Sequence, residues 1–238
     1  TKILMNFARE KKLINSNTIL ECKIRVSKEA SDNIYLTEPE INELIKIDKF
    51  KSKLYEVVRD LFVVGCKTGL RFSDYSNLRS SNINNGFISL NQQKTSQRVT
   101  IPIHPLVQTI LNKYPEGLPK CPPNQVFNKY LKEIGKKLPQ LDTDFEKVIT
   151  RAGKAETTTY KKRQLLQTHT ARRSFCTNEY LNGTPTITIM AISGHRTESS
   201  FMSKTSFISS FSVFLCIYLH LLCHRCIFRG CKSGKNIL

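Results

Sequence analysis

The chain has 238 residues, 39% of them apolar, and carries 37 Lys and Arg against 19 Asp and Glu, a formal net charge of +18. The apolar share excludes a disordered tail, and the length holds one large domain or two small ones. The positive excess is far beyond what a metabolic enzyme needs and points to a polyanionic partner; a ribosomal, chaperone-like or merely solvated basic protein would share it, so charge alone does not choose.

Thr1-Lys2-Ile3-Leu4-Met5-Asn6 has no apolar h-region and no small-residue cleavage site, so the expected location is cytoplasmic. Ile3, Leu4 and Phe7 give one short helical pattern, followed by the polar run Asn15-Ser16-Asn17; residues 1–31 are too few to fold alone. Thr37-Glu38-Pro39-Glu40 is a capping box with Pro in the first turn, and Ile41, Leu44 and Ile45 follow at helical spacing. A second helix runs from about Leu54 through Val57, Val58, Leu61, Phe62 and Val64 and stops at Gly69. Arg71 therefore emerges just beyond a buried helix end, with Asp74 as an available acid partner. Phe87–Asn91 and Val99–Ile103 flank Gln92-Gln93-Lys94-Thr95-Ser96-Gln97 as a β-hairpin with Pro102 at an edge. Lys94 rides on the tip, where a lysine most simply solubilises.

Leu106, Val107, Ile110 and Leu111, then Val126, Phe127, Tyr130, Leu131 and Ile134, recur at helical spacing within Pro105–Tyr114 and Gln125–Ile134. These are core helices, joined by a stretch punctuated with Pro115, Gly117, Pro119, Pro122 and Pro123. Arg151 to Arg163, rich in Lys, Thr and Arg and without periodicity, reads as a basic loop suited to lie along phosphates. The next helix is capped by Thr168, closed by Asn182-Gly183, and carries His169, Arg172, Phe175 and Leu181. His169 and Arg172, three apart, share a face and reach one anion together; the guanidinium matches phosphate oxygens in bidentate fashion, and the helix start adds partial positive charge. This is phosphodiester chemistry, although His-x-x-Arg alone is a weak signal. A further helix has Pro185 at its first position, Ile187, Ile189, Met190 and Ile192 as buried candidates, and Gly194 as its end, with His195 at the turn. The elements sum to a mainly α fold with a small β-hairpin or sheet, an α+β class.

Three motifs stand in order: Thr68-Gly69-Leu70-Arg71-Phe72-Ser73-Asp74, Thr168-His169-Thr170-Ala171-Arg172-Arg173-Ser174-Phe175 and Ser193-Gly194-His195-Arg196-Thr197. They resemble the tyrosine recombinase, or phage integrase, family, most like the integrases of Bacteroides-type mobile elements, over roughly Asn33 to Met202. The resemblance implies site-specific DNA integration and recombination through strand cleavage and rejoining, by a 3′-phosphotyrosyl intermediate and with no metal or cofactor. It makes Arg71 and Arg172 stabilisers of the phosphoryl oxygens, His169 and His195 positioning groups, and Lys94 the general acid for the leaving 5′-hydroxyl. Arg71, Lys94, Arg172 and Arg173 become the DNA contacts. The implied partner is double-stranded DNA at specific recombination sites, bound by a homotetramer. Residues 1–32 then correspond to the end of an N-terminal helical DNA-clamping domain and its linker, 33–202 to the catalytic domain, and 203–238 to a divergent tail.

The divergence falls on the nucleophile. In the family a Tyr follows the Gly-His by nine residues, in a helix of the kind Phe-x-Lys-Tyr-Ile; here the ninth residue after His195 is Lys204. After Phe201-Met202-Ser203-Lys204 the composition turns to Phe, Ser, Cys and His with no amphipathic helix, which a frameshifted 3′ end explains most simply. Strand cleavage would then be defective, and a non-catalytic DNA-binding remnant of an integrase is the alternative function. Tyr218, 23 residues from His195, is only a weak candidate nucleophile. Of the eight cysteines, Cys66 and Cys176 lie in apolar helical surroundings and read, with Cys22 and Cys121, as reduced thiols. Cys216, Cys223, Cys226 and Cys231 crowd the tail. With His220 and His224 some of them compose a zinc alternative, and Phe207 to Cys223 a short membrane-span alternative. A single Cys-x-x-Cys and the serines nearby argue against both, so neither metal nor membrane is expected.

Overall fold

In the computed structural model, residues 2–13, 33–151 and 154–202 are described, and the chain divides into two units, residues 1–31 and 32–238. Cys22, Lys204, Tyr218 and all the alternatives for the tail lie outside the described residues. In the first unit, helix α1 (Lys2–Glu10) leaves Leu4 and Phe7 exposed.

The second unit begins with a strap, Ile34 to Leu36, whose Ile34 and Leu36 are buried, and helix α2 (Glu38–Lys46). Glu40 reaches back to accept from the Thr37 N–H at 2.7 Å and the Thr37 hydroxyl at 3.1 Å, so the capping box forms. Helix α3 (Lys53–Thr68) is buried on nearly every side from Val57 onward, and Gly69, at φ 66°, ends it in the left-handed conformation. A Cβ on Gly69 would lie 2.3 Å from the Phe175 ring, so both backbone and packing require glycine there. Asp60 of α3 is buried and takes the Arg59 guanidinium at 2.6 and 2.8 Å, Lys113 Nζ at 2.7 Å and the Tyr114 hydroxyl at 2.8 Å. The buried carboxylate is thus fully partnered and ties α3 to the segment around Lys113.

A single turn, α4 (Phe72–Tyr75), leads to a three-stranded antiparallel sheet of β1 (Ile83–Asn84), β2 (Phe87–Asn91) and β3 (Arg98–Pro102). Asn85 and Gly86, both at positive φ (48° and 78°), make the tight turn between β1 and β2. Ile88 pairs with Ile101 and Leu90 with Val99, and Ile88, Val99 and Ile101 face the core. Helix α5 (Pro105–Lys113) is capped by His104, whose Nδ1 accepts from the Leu106 N–H at 3.1 Å. Helix α6 (Asn124–Gly135) buries Phe127, Leu131 and Ile134.

The basic stretch Arg151 to Arg163 that the sequence presents as a loop instead contains strand β5 (Lys154–Lys161), paired over eight residues with β4 (Asp144–Arg151) in a hairpin. Its threonine-rich strand lacks the apolar alternation by which strands are recognised, so the backbone ladder forms without a core-facing stripe. Helix α7 (Thr168–Leu181) packs across α3, where Gly65 comes close to Ala171 and Tyr75. Its N-cap is Gln167, and Thr168 is the first helical residue rather than the cap. Helix α8 (Thr186–Ser193) has Pro185 as its N-cap, one place before the expected position. Ile189 is buried there but Ile187 is 78% exposed, because α8 presents only one side to α7. Helix α9 (Glu198–Met202) closes the described chain, with Phe201 buried beside Phe175, Cys176 and Ile189.

Candidate active site

The end of α3, the β2–β3 turn, α7 and the end of α8 converge on one knot of hydrogen bonds. Gly194 sits at φ 70°, which ends α8 and turns the Ser193 and Gly194 carbonyls toward the two arginines. Arg71 donates through Nη2 to the Gly194 carbonyl at 3.2 Å and through Nη1 to Gln92 Oε1. Arg172 donates through Nη1 to the carbonyls of Gly69, at 2.9 Å, and Ser193, while its Nη2 lies 3.3 Å from the His195 ring nitrogens. His195 Nδ1 is 2.7 Å from the Ser193 hydroxyl, and its ring stands edge-on to Phe201 with centroids 5.6 Å apart. The available pairing with Asp74 is not what holds Arg71; Asp74 is buried and instead accepts from the Gln93 N–H at 3.0 Å, fixing the base of the β2–β3 turn.

Both arginines are therefore oriented by carbonyl and amide dipoles rather than by carboxylates, so their charge stays available to an anion. Burial pulls the Arg172 pKa down to about 10, with the neighbouring Arg71 charge adding to the fall; it remains protonated at neutral pH. Burial pushes the Cys176 thiol up to about 11, keeping it protonated beside this charge. His169 is exposed in the first turn of α7. Lys94 is exposed on the β2–β3 turn, which is docked onto the knot where Arg196 Nη2 donates to the Thr95 carbonyl at 3.3 Å.

The chain matches the phage integrase family over residues 35–203. The chain belongs to the phage integrase family. Its fold is that of tyrosine recombinases of known structure. It is similar to the XerA recombinase (16% identity, TM-score 0.57, covering 92% of this chain and 81% of that one). It is also similar to a lambda integrase dimer bound to a COC' core site (14%, 0.58, 87% and 71%). A third likeness is to the XerH site-specific recombinase in a post-cleavage complex with palindromic difH substrate (15%, 0.53, 75% and 51%), of which the chain spans about half the length. No curated protein sequence matches the chain.

Within this integrase-family domain, Arg71, Arg172 and His195 meet in the knot. Arg173, half-buried, donates to the Ile34 carbonyl at 2.9 Å on the other side of α7. Two contributors have no role in the motif reading: Ser193, which opens the third motif, and Gln92, 1% exposed, which lies outside all three. Counting by twos from Ile88 through Leu90 leads to Gln92, so strand alternation already puts it on the inner face. A separate recess of about 530 Å³ between α6 and the β4–β5 hairpin is lined by Lys132, Lys136, Lys147 and Arg163 with one carboxylate, Glu133. Among the described residues no cluster of His, Cys, Asp or Glu is suited to a metal ion, and no helix is long and apolar enough to cross a membrane.

Proposed function

We propose that this domain binds duplex DNA at specific recombination sites and carries the phosphate-handling half of tyrosine recombinase chemistry. The observation that carries the reading is the knot itself: two arginines from distant segments, hydrogen-bonded to an amide and to carbonyls rather than to carboxylates, around a histidine at a helix end. Arg71 and Arg172 would stabilise charge on the scissile phosphate, His169 and His195 would hold its non-bridging oxygens, and Lys94 would protonate the leaving 5′-oxygen. Arg173 has donors beyond the one on Ile34 and is the fourth DNA contact after Arg71, Lys94 and Arg172. The basic recess beside β4–β5 supplies further phosphate contacts, in keeping with the charge of +18. Assembly as a homotetramer on paired sites and a cytoplasmic location belong to the same proposal.

Covalent cleavage requires a phenolic oxygen in line with the phosphorus within about 3 to 3.5 Å. Lys204 stands at the ninth place after His195 and cannot form a phosphodiester. This favours the second reading, a DNA-binding remnant that grips its site without cutting. The experiment uses duplexes selected from a randomised library by binding to the chain, then nicked to trap a 3′-phosphotyrosyl adduct on a denaturing gel. The expected outcome is no adduct from the chain and an adduct from the Lys204→Tyr variant. An adduct from the unaltered chain that vanishes in Tyr218→Phe would make Tyr218 the nucleophile and overturn the remnant reading. Absence of DNA binding would sink both readings.

A further inference from the structure

Gln92 is a neutral side chain, 1% exposed, whose every polar atom is engaged. Oε1 accepts from Arg71 Nη1 and from the Thr95 hydroxyl at 3.0 Å. Nε2 donates to the Ser193 carbonyl at 3.1 Å, the same oxygen that Arg172 uses. Its backbone N–H donates to the Gln97 carbonyl at 2.9 Å, and its carbonyl accepts from the Ser96 N–H at 2.8 Å, closing the turn that carries Lys94. The amide has only one workable orientation: flipped, its NH2 would face a guanidinium and its oxygen a carbonyl. Gly194 passes so close that a Cβ there would lie 2.2 Å from Oε1.

We infer that Gln92 is a positioning residue, whose amide locks the Arg71 guanidinium, the Ser193–His195 turn and the hairpin tip bearing Lys94 into one rigid unit. The inference rests on the DNA-binding reading above and deepens it. An uncharged amide suits the task better than a carboxylate, because it orients the guanidinium without cancelling the charge a phosphate needs. A glutamate would also turn an oxygen toward the Ser193 carbonyl, where a donor is required.

The test is a double-variant cycle read by binding of a short duplex of arbitrary sequence across a salt series, with circular dichroism and thermal melting on each variant. Arg71→Ala is expected to weaken binding and lower the salt slope of log K by about one unit. Gln92→Met, which keeps the volume and deletes the bonds, is expected to weaken binding about tenfold with the slope unchanged, and to have no further effect in the Arg71→Ala background. Gln92→Glu is expected to lower the slope by about one unit, because its carboxylate neutralises Arg71. Additive effects of Gln92→Met and Arg71→Ala, or an unchanged slope in Gln92→Glu, would overturn the inference. If Gln92→Met does not fold, Thr95→Val removes only the hydroxyl sharing Oε1 and runs the same cycle at about twofold amplitude. No effect of Arg71→Ala on binding would instead refute the DNA-site reading and the inference with it.

Discussion

The β2–β3 hairpin has five residue pairs and buries Ile88, Val99 and Ile101, and its turn is held by Gln92, Asp74 and Arg196. The β4–β5 hairpin has eight pairs, yet Val148 is 49% exposed, Thr157, Thr158 and Thr159 face solvent, and no third strand joins it among the described residues. Ladder length therefore says little about how firmly a hairpin is held. Burial of one face and docking of the turn decide it, since a two-stranded ribbon in water is marginal by itself.

The largest effect that separates the two should come from Ile101→Ala, which empties a site 1% exposed in the shared core and should cost about 2–5 kcal/mol in denaturant unfolding. Next is Gly194→Ala, which attacks the docking of the turn: a positive φ and a 2.2 Å approach to Gln92 predict a loss of about 1–3 kcal/mol together with faster hydrogen exchange at residues 92–97. Replacing residues 147–158 by an Asn-Gly turn keeps half-buried Phe145 and Tyr160, and should move Tm by no more than about 4 °C. A larger fall would give β4–β5 a share in the core. The smallest effect should be that of Val148→Thr, within about 0.5 kcal/mol.

The same contrast explains what was legible in the chain. The hairpin flanking Gln92 to Gln97, the Thr37–Glu40 capping box and the stop at Gly69 state their structure locally, and each forms. The strand Lys154–Lys161 states nothing of the kind, because threonine and lysine fit a solvated strand and a loop equally well. The short β1 strand was readable from Asn85-Gly86, a tight-turn pair that a search for apolar runs overlooks. In the candidate site, Arg71 and His195 are visible because they stand beside helix-ending glycines, and Arg172 because it shares a helix face with His169. Gln92 is not, since its role exists only once it meets a segment about 100 residues away, and the Ser193 hydroxyl acts on His195 only through the turn at Gly194. Ile187 shows the opposite case: on a short helix that covers only one side, an apolar residue that reads as core stands in solvent.

Helix α7 carries on its far side three side chains that grip the strap at the start of the unit. Ser174 Oγ accepts from the Leu36 N–H at 2.8 Å, Asn178 Nδ2 donates to the Leu36 carbonyl at 3.0 Å, and Arg173 holds the Ile34 carbonyl at 2.9 Å, across separations of 138 to 142 residues. The consequence is one of timing. During synthesis residues 34–36 leave the ribosome long before α7 exists, so their buried backbone groups wait in water until nearly all of the domain has been made. Closing a loop of that length comes at an entropic cost that local helices do not meet, and such long-range contacts slow folding. The seam between strap and α7 is therefore a late stitch, closed only when the two ends of the domain have found each other.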